Sequence, residues 1–186
     1  MKLEEAKREA AWIVSKLDYL SERVLVVGSI RRERPEVNDI DIVVIPKASR
    51  DRFWDDMSRR LQRCQGMVRL GKGPKLMRFA RYRDAAGLVS SDRQPDYTVD
   101  VYHATPDTWG ILVLIRTGSK MHNVKLCSLA RSKGLMLSAS QGLIKYLKAV
   151  EPFEPVVKII ASRSEEEIFA GLGLDYVEPR DREVPA

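Results

Sequence analysis

Sulfur is scarce in this chain of 186 residues. Its two cysteines, Cys64 and Cys127, are too few for a disulfide framework or a thiolate zinc site. So low a count sets a reducing compartment, the cytoplasm, as the expected location. Histidine is equally sparse, and His103 and His122 are read as hydrogen-bonded structural residues, not catalysts. No run of eighteen apolar residues occurs, so no membrane-spanning helix is expected and no membrane partner. The N-terminus, MKLEEAKREAAWIV, has no apolar h-region and is not a secretory signal. Internal repeats and low-complexity tracts are missing as well. What remains is a length suited to one domain, or one domain with a small appendage, and sufficient for a real core. Trp12, Trp54 and Trp109 are assigned to that core.

Basic residues are in excess. Lysine and arginine number 32 against 26 acids, a formal charge of +6, which points weakly to an anionic partner. The stretch RLGKGPKLMRFARYR, residues 69 to 83, holds six of these cations and no acid. It reads either as a hairpin whose charged edge guards against aggregation or as a surface that meets a phosphate backbone.

Apolar spacing organises the first hundred residues. Leu3, Ala6, Ala10, Ile13, Leu17 and Leu20 follow a helical period over residues 3 to 20. Val24 to Val27 is a continuous apolar run, as in a buried strand, and Ile40 to Ile45, apolar except at Asp41, reads as a second such strand stopped by Pro46. Phe53, Met57, Leu61 and Cys64 share one face of a helix over 49 to 64. GMVRL, KLMRFARY and DYTVDVYHA read as strands, with Gly71, Gly73 and Pro74 turning the first two into a hairpin. DAAGLVSSDRQP, 84 to 95, reads as a polar surface loop.

The pattern changes after residue 104. Thr105-Pro106 suggests an N-cap and first helical position for a helix to about Arg116. Thr117-Gly118-Ser119 breaks it, and Ser119 can cap a second helix to about Ser132. Ser164 to Glu167 resembles a capping box, and Gly171 and Gly173 close the helix that follows. The expectation is an α+β region to about residue 104, then a smaller, mostly helical one.

The chemistry concentrates in VVGSIRRERPEVNDIDIVVIP, residues 26 to 46. On a strand, Asp39 and Asp41 point to the same face while Ile40 and Ile42 enter the core. Two adjacent carboxylates repel, and a divalent cation resolves the conflict; hard oxygen ligands suit magnesium, which bridges to substrate phosphates. Gly28-Ser29 follows a buried strand and opens a helix. Backbone N–H groups there, the Ser29 hydroxyl and the guanidinium groups of Arg31 and Arg32 would receive phosphate. Two solvated aspartates salt-bridged to arginines remain the bland alternative.

Together, GS-x-RR followed by DID resembles the nucleotidyltransferase superfamily, and more narrowly the family X DNA polymerases. The likeness continues along the chain. DYTVDVYHA supplies a third aspartate, Asp100; WGILVLIRTGSKMHNVKL resembles the family's nucleotide-binding helix pair; and EEEIFAGLGLDYVEPRDRE resembles its C-terminal signature through Glu178, Pro179, Arg182 and Glu183. The fold implied is α+β: a nucleotidyltransferase palm with a mixed β-sheet and helices over 1–104, then a small, mostly helical C-terminal subdomain for nucleotide and nascent base pair over 105–186. No room is left for the lyase or helix-hairpin-helix domains of larger relatives, so the chain resembles the minimal, virus-encoded type.

By that resemblance Asp39, Asp41 and Asp100 would be catalytic and bind two magnesium ions, with manganese as a substitute. Gly28, Ser29, Arg32, Ile115, Arg116, Gly118, Ser119 and Asn123 would bind the nucleotide, Ser29 and Arg32 through its β- and γ-phosphates and Asn123 through the minor-groove edge of the base. Lys72, Lys75, Arg78, Lys120 and Cys127 are the DNA-facing candidates. The chain departs from the pattern in three places: Ile115-Arg116 replaces Tyr-Phe, Cys127 replaces a template-reading arginine, and Thr98 replaces an arginine before the third aspartate. For Cys127 a small buried apolar role is the competing reading. The implied activity is DNA-directed DNA synthesis in short repair gaps, by a monomer acting on primer-template or gapped DNA. Its substrates are deoxynucleoside triphosphates, with relaxed sugar selectivity extending them to ribonucleotides. A template-independent or end-bridging terminal-transferase-like polymerase, and a minimal nucleotidyltransferase acting on tRNA or protein, are the alternatives.

Overall fold

The computed structural model describes residues 1–64, 67–82, 94–147 and 156–183. The chain divides into two compact units, Met1–Ala104 and Thr105–Ala186.

The first unit opens with α1 (Leu3–Leu17), which buries Ala6, Ala10, Ile13 and Leu17 along one stripe. A 3₁₀ turn, Asp18–Leu20, replaces the last part of the helix expected to residue 20. Then follow β1 (Ser21–Val26), a single helical turn α2 (Gly28–Arg31), β2 (Asp39–Pro46), α3 (Arg50–Gln62), the hairpin β3 (Met67–Lys72) and β4 (Leu76–Arg81), and β5 (Tyr97–His103). The five strands form one mixed sheet in the order β1-β2-β5-β4-β3. Only β2 and β5 pair in parallel. Ile40, Ile42, Val99, Val101, Met77 and Phe79 pack with the apolar sides of α1 and α3 in one core. Period-two alternation then sends Asp39, Asp41 and Asp100 to the opposite face. The loop expected over 84–95 lies outside the described residues apart from Gln94 and Pro95.

The second unit contains α4 (Trp109–Thr117), α5 (Lys120–Ser132), β6 (Met136–Ser138), β7 (Gly142–Tyr146), β8 (Val157–Ala161) and α6 (Glu165–Gly171). It is less helical than expected, because β6, β7 and β8 form an antiparallel sheet in that order. Leu143 and Ala161 from this sheet join Ile111, Leu114, Leu126, Ile168 and Phe169 in the core. The strands are short, and β8 exposes both Ile159 and Ile160, so alternation gives no signal there. Thr105-Pro106 does not start α4. Residues 105 to 108 form a turn instead, with the Thr105 N–H donating to Thr108 Oγ1 (2.9 Å) and the Thr108 N–H to the Thr105 carbonyl (3.0 Å). Among the described residues no helix is long and apolar enough to cross a membrane.

Candidate functional site

The parallel pairing of β2 with β5 sets Asp41 directly beside Asp100, although 59 positions separate them in sequence. Directly paired residues project to the same side of a sheet, so Asp39, Asp41 and Asp100 occupy one face. Tyr102, two residues beyond Asp100, shares it. Its hydroxyl lies 3.3 Å from Asp41 Oδ1 and 3.1 Å from Asp100 Oδ2, between two acceptors, and so ties the carboxylates together.

The antiparallel pairing of β4 with β5 brings Arg78 opposite Asp100. Its guanidinium grips both carboxylate oxygens, Nε to Oδ1 and Nη2 to Oδ2, each at 2.6 Å. Asp100 is nearly fully buried while the Arg78 side chain is half exposed. The Asp100 carboxylate, through its hydrogen bonds and its charge, holds the Arg78 pKa above its ordinary value, and Asp39 adds to the effect. Among the described residues no three carboxylate, imidazole or thiol groups are gathered as a ready metal-ligand set.

Two observations bear on whether these residues suit a divalent cation and its phosphate ligand. Gly28 stands at φ +64°, and a Cβ there would come within 2.2 Å of Asp41 Oδ2. Glycine at 28 thus lets the backbone lie directly against the carboxylate, in a conformation that L side chains adopt at a cost. Beside it, Ser29 Oγ is buried without a hydrogen-bond partner, an uncommon state for a hydroxyl and one that a ligand atom would relieve. The hard carboxylates of Asp41 and Asp100, both within reach of the Tyr102 hydroxyl, and the unsatisfied Ser29 hydroxyl have the donor chemistry that magnesium and phosphate take, while Arg78 supplies the competing positive charge. The helix that Gly28 opens is one turn long, so little dipole is available and a phosphate there would meet individual N–H groups. Arg32 is half-buried and already engaged.

The remaining predicted residues of the first unit lie on the hairpin and its turn. Lys72 Nζ bonds Asp55 Oδ1 at 3.1 Å. Lys75 is exposed in the turn, where its carbonyl accepts the His103 N–H (3.0 Å).

In the second unit, Gly118 closes α4 at φ +73° and Ser119 caps α5. Ser119 Oγ accepts the His122 N–H (3.3 Å) and donates to the Arg182 carbonyl (2.8 Å). Asn123 Nδ2 donates to the Ile115 carbonyl at 2.9 Å, and its Oδ1 is buried without a partner. Ile115, Arg116 and Cys127 are half-buried, and Lys120 is exposed at the start of α5.

Sequence reasoning placed Arg182 in a signature without giving it work. It is wholly buried. Nη1 meets Glu165 Oε1 at 2.6 Å, Nε donates to the Val177 carbonyl at 2.9 Å, and the guanidinium lies over the rings of Phe169 and Tyr176. Burial and the nearby Arg182 charge lower the His122 pKa to about 4, so the ring is neutral at pH 7. Tyr102 was likewise missed, though its place two residues after Asp100 was a usable signal. The partner of Arg78 had no local signal.

Residues 112–183, which span the Thr117–Ser119 turn, Asn123 and Arg182, match the family described as DNA polymerase beta thumb. No curated protein matches the chain. The family match supports a family X polymerase-like C-terminal region and, with it, a DNA substrate.

Proposed function

We propose that this chain is a template-directed DNA polymerase that extends a primer 3′-OH across short gaps. The observation that carries the reading is Asp41 set beside Asp100 on parallel strands in a chain whose residues 112–183 match a polymerase thumb. Asp39, Asp41 and Asp100 would hold two magnesium or manganese ions. Such ions activate the attacking hydroxyl and neutralise charge on the transferring and leaving phosphates.

The chain's own groups do the rest. The unsatisfied Ser29 hydroxyl donates to a phosphate oxygen, and Arg32 adds a guanidinium fork. Gly28 lets that phosphate approach the backbone beside Asp41. Tyr102 fixes the spacing of Asp41 and Asp100. Arg78 balances the buried Asp100 and, half exposed, can turn outward when another cation takes its place. In the second unit, Asn123 presents an unsatisfied amide oxygen on α5 for base recognition.

The test is incorporation of each nucleotide on a one-nucleotide gap with magnesium or manganese, with and without a templating base. Asp100→Asn should remain folded and fall in turnover by roughly a hundredfold or more, the scale on which charge-stabilising groups act. Normal extension by this variant would overturn the assignment. Equal incorporation without template would favour the terminal-transferase reading, and labelling of tRNA or protein alone would favour the nucleotidyltransferase one.

A further inference from the structure

A second feature of the first unit lies at the other end of β2. Lys47, just past the strand, donates its N–H to the Leu20 carbonyl (3.0 Å) and its Nζ to the Tyr19 carbonyl (3.2 Å). It lies six positions beyond Asp41, about 20 Å at the rise of a β-strand. Beside it opens a cleft of about 220 Å³ lined by Tyr19, Leu20, Asp56, Arg59, Arg60 and Arg63.

Its charge is one-sided. Asp56, the one acid in the lining, is bound to Arg59 (2.5 Å) and lies 3.8 Å from Arg52. Arg60 and Arg63 have no carboxylate partner among the described residues. Tyr19 stands at the mouth with 74% of its surface exposed. The Arg60 guanidinium lies 5.3 Å from its ring centroid and the Lys47 ammonium 5.8 Å. Basic residues at the C-terminal end of α3 complement the helix dipole. That accounts for some of the charge but not for an exposed aromatic ring set among cations.

We propose that this cleft binds single-stranded nucleic acid, with Arg60 and Arg63 on a backbone phosphate and the Tyr19 ring stacked on the adjoining base. Guanidinium forks match phosphate oxygens in geometry and charge. An aromatic face accepts any base, and the combination of basic groove and ring is how strands are held without sequence preference. Acidic peptides would use the arginines but gain little from the ring. The cleft is smaller than pockets that enclose a whole small molecule, so a strand crossing its mouth suits it better than a captured nucleotide. The inference rests on residues remote from the carboxylates and does not depend on the polymerase reading.

The experiment measures binding of a labelled dT12 oligonucleotide to the full chain across a salt series. All three side chains are on the surface, so Arg60→Gln/Arg63→Gln and Tyr19→Leu should fold. The double variant should lower the log–log salt slope by about 0.7, the value for one single-strand phosphate. Tyr19→Leu should weaken binding by about fivefold or more while leaving the slope unchanged. An unchanged slope in the double variant overturns the proposal. So does displacement of dT12 by millimolar inorganic phosphate combined with no effect of Tyr19→Leu, which would mark a plain anion site. Binding of a glutamate-rich peptide that needs Arg60 and Arg63, when dT12 binding does not, overturns it too.

Discussion

Removing Glu165 should unfold the second unit more readily than its position in the first turn of a helix suggests. Arg182 is 0% exposed and the Glu165 side chain 5%. Of the guanidinium's donors, Nε has the Val177 carbonyl, Nη1 has Glu165, and Nη2 is buried without a partner. Arginine does not give up its proton in a protein, so Glu165→Gln leaves a charge in the core with amide and ring contacts but no counter-charge. Breaking one side of such a pair costs about 3–5 kcal/mol, a large share of the roughly 5–15 kcal/mol that holds a domain together. Replacing both residues with apolar ones, Glu165→Met with Arg182→Met, removes the stranded charge and should recover most of the loss. Amide hydrogen exchange over β8 and α6 reports this unit directly. A cost below about 1 kcal/mol for Glu165→Gln, the range of exposed pairs, would refute the claim that the pair is desolvated. The damage should also reach function, because the Arg182 carbonyl accepts Ser119 Oγ and so anchors the turn that starts α5.

Two further outcomes follow from the geometry. Gly28→Ala forces a side chain into a left-handed conformation and into Asp41, so stability should fall by about 1–2 kcal/mol in denaturant unfolding, with a larger loss of nucleotide incorporation than that alone explains; full incorporation would remove Gly28 from the site. Ile115-Arg116 offers no ring against the sugar, and the Ile115 carbonyl is engaged by Asn123, so discrimination between dCTP and CTP opposite guanine should be about a hundredfold or less in kcat/KM, and a ratio in the thousands would refute this.

The parts of the fold that could be read in the sequence are those where local pattern and tertiary role coincide. Ile40 to Ile45 is apolar on both sides because β2 is buried in mid-sheet, and the aspartates interrupt it where one face opens. Ser119 and Ser164 announce α5 and α6 because capping is settled within three residues, and both hydroxyls do accept the expected N–H. Thr105-Pro106 looked like a start of the same kind, but Thr108 Oγ1 captures the Thr105 N–H and delays the helix. The strands β6, β7 and β8 were missed because three to five residues each, only four of the thirteen fully buried, carry no period long enough to detect.

Charged residues were the hardest to place, and for one reason. A lysine or arginine is assigned to the surface by default, so the basic hairpin looked like six equivalent cations. The fold makes them different. Lys72 is tied to Asp55 on α3, and Arg78 is drawn to Asp100 by a strand register that no local pattern encodes. Arg182, with the same side chain, is sealed under two aromatic rings. The cations without a carboxylate partner at the cleft, Arg60 and Arg63, come from a helix whose sequence suggested only a core-facing stripe. Net charge therefore points to an anionic partner without saying which cations would meet it. Pairing decides which cations remain available, and pairing depends on the fold.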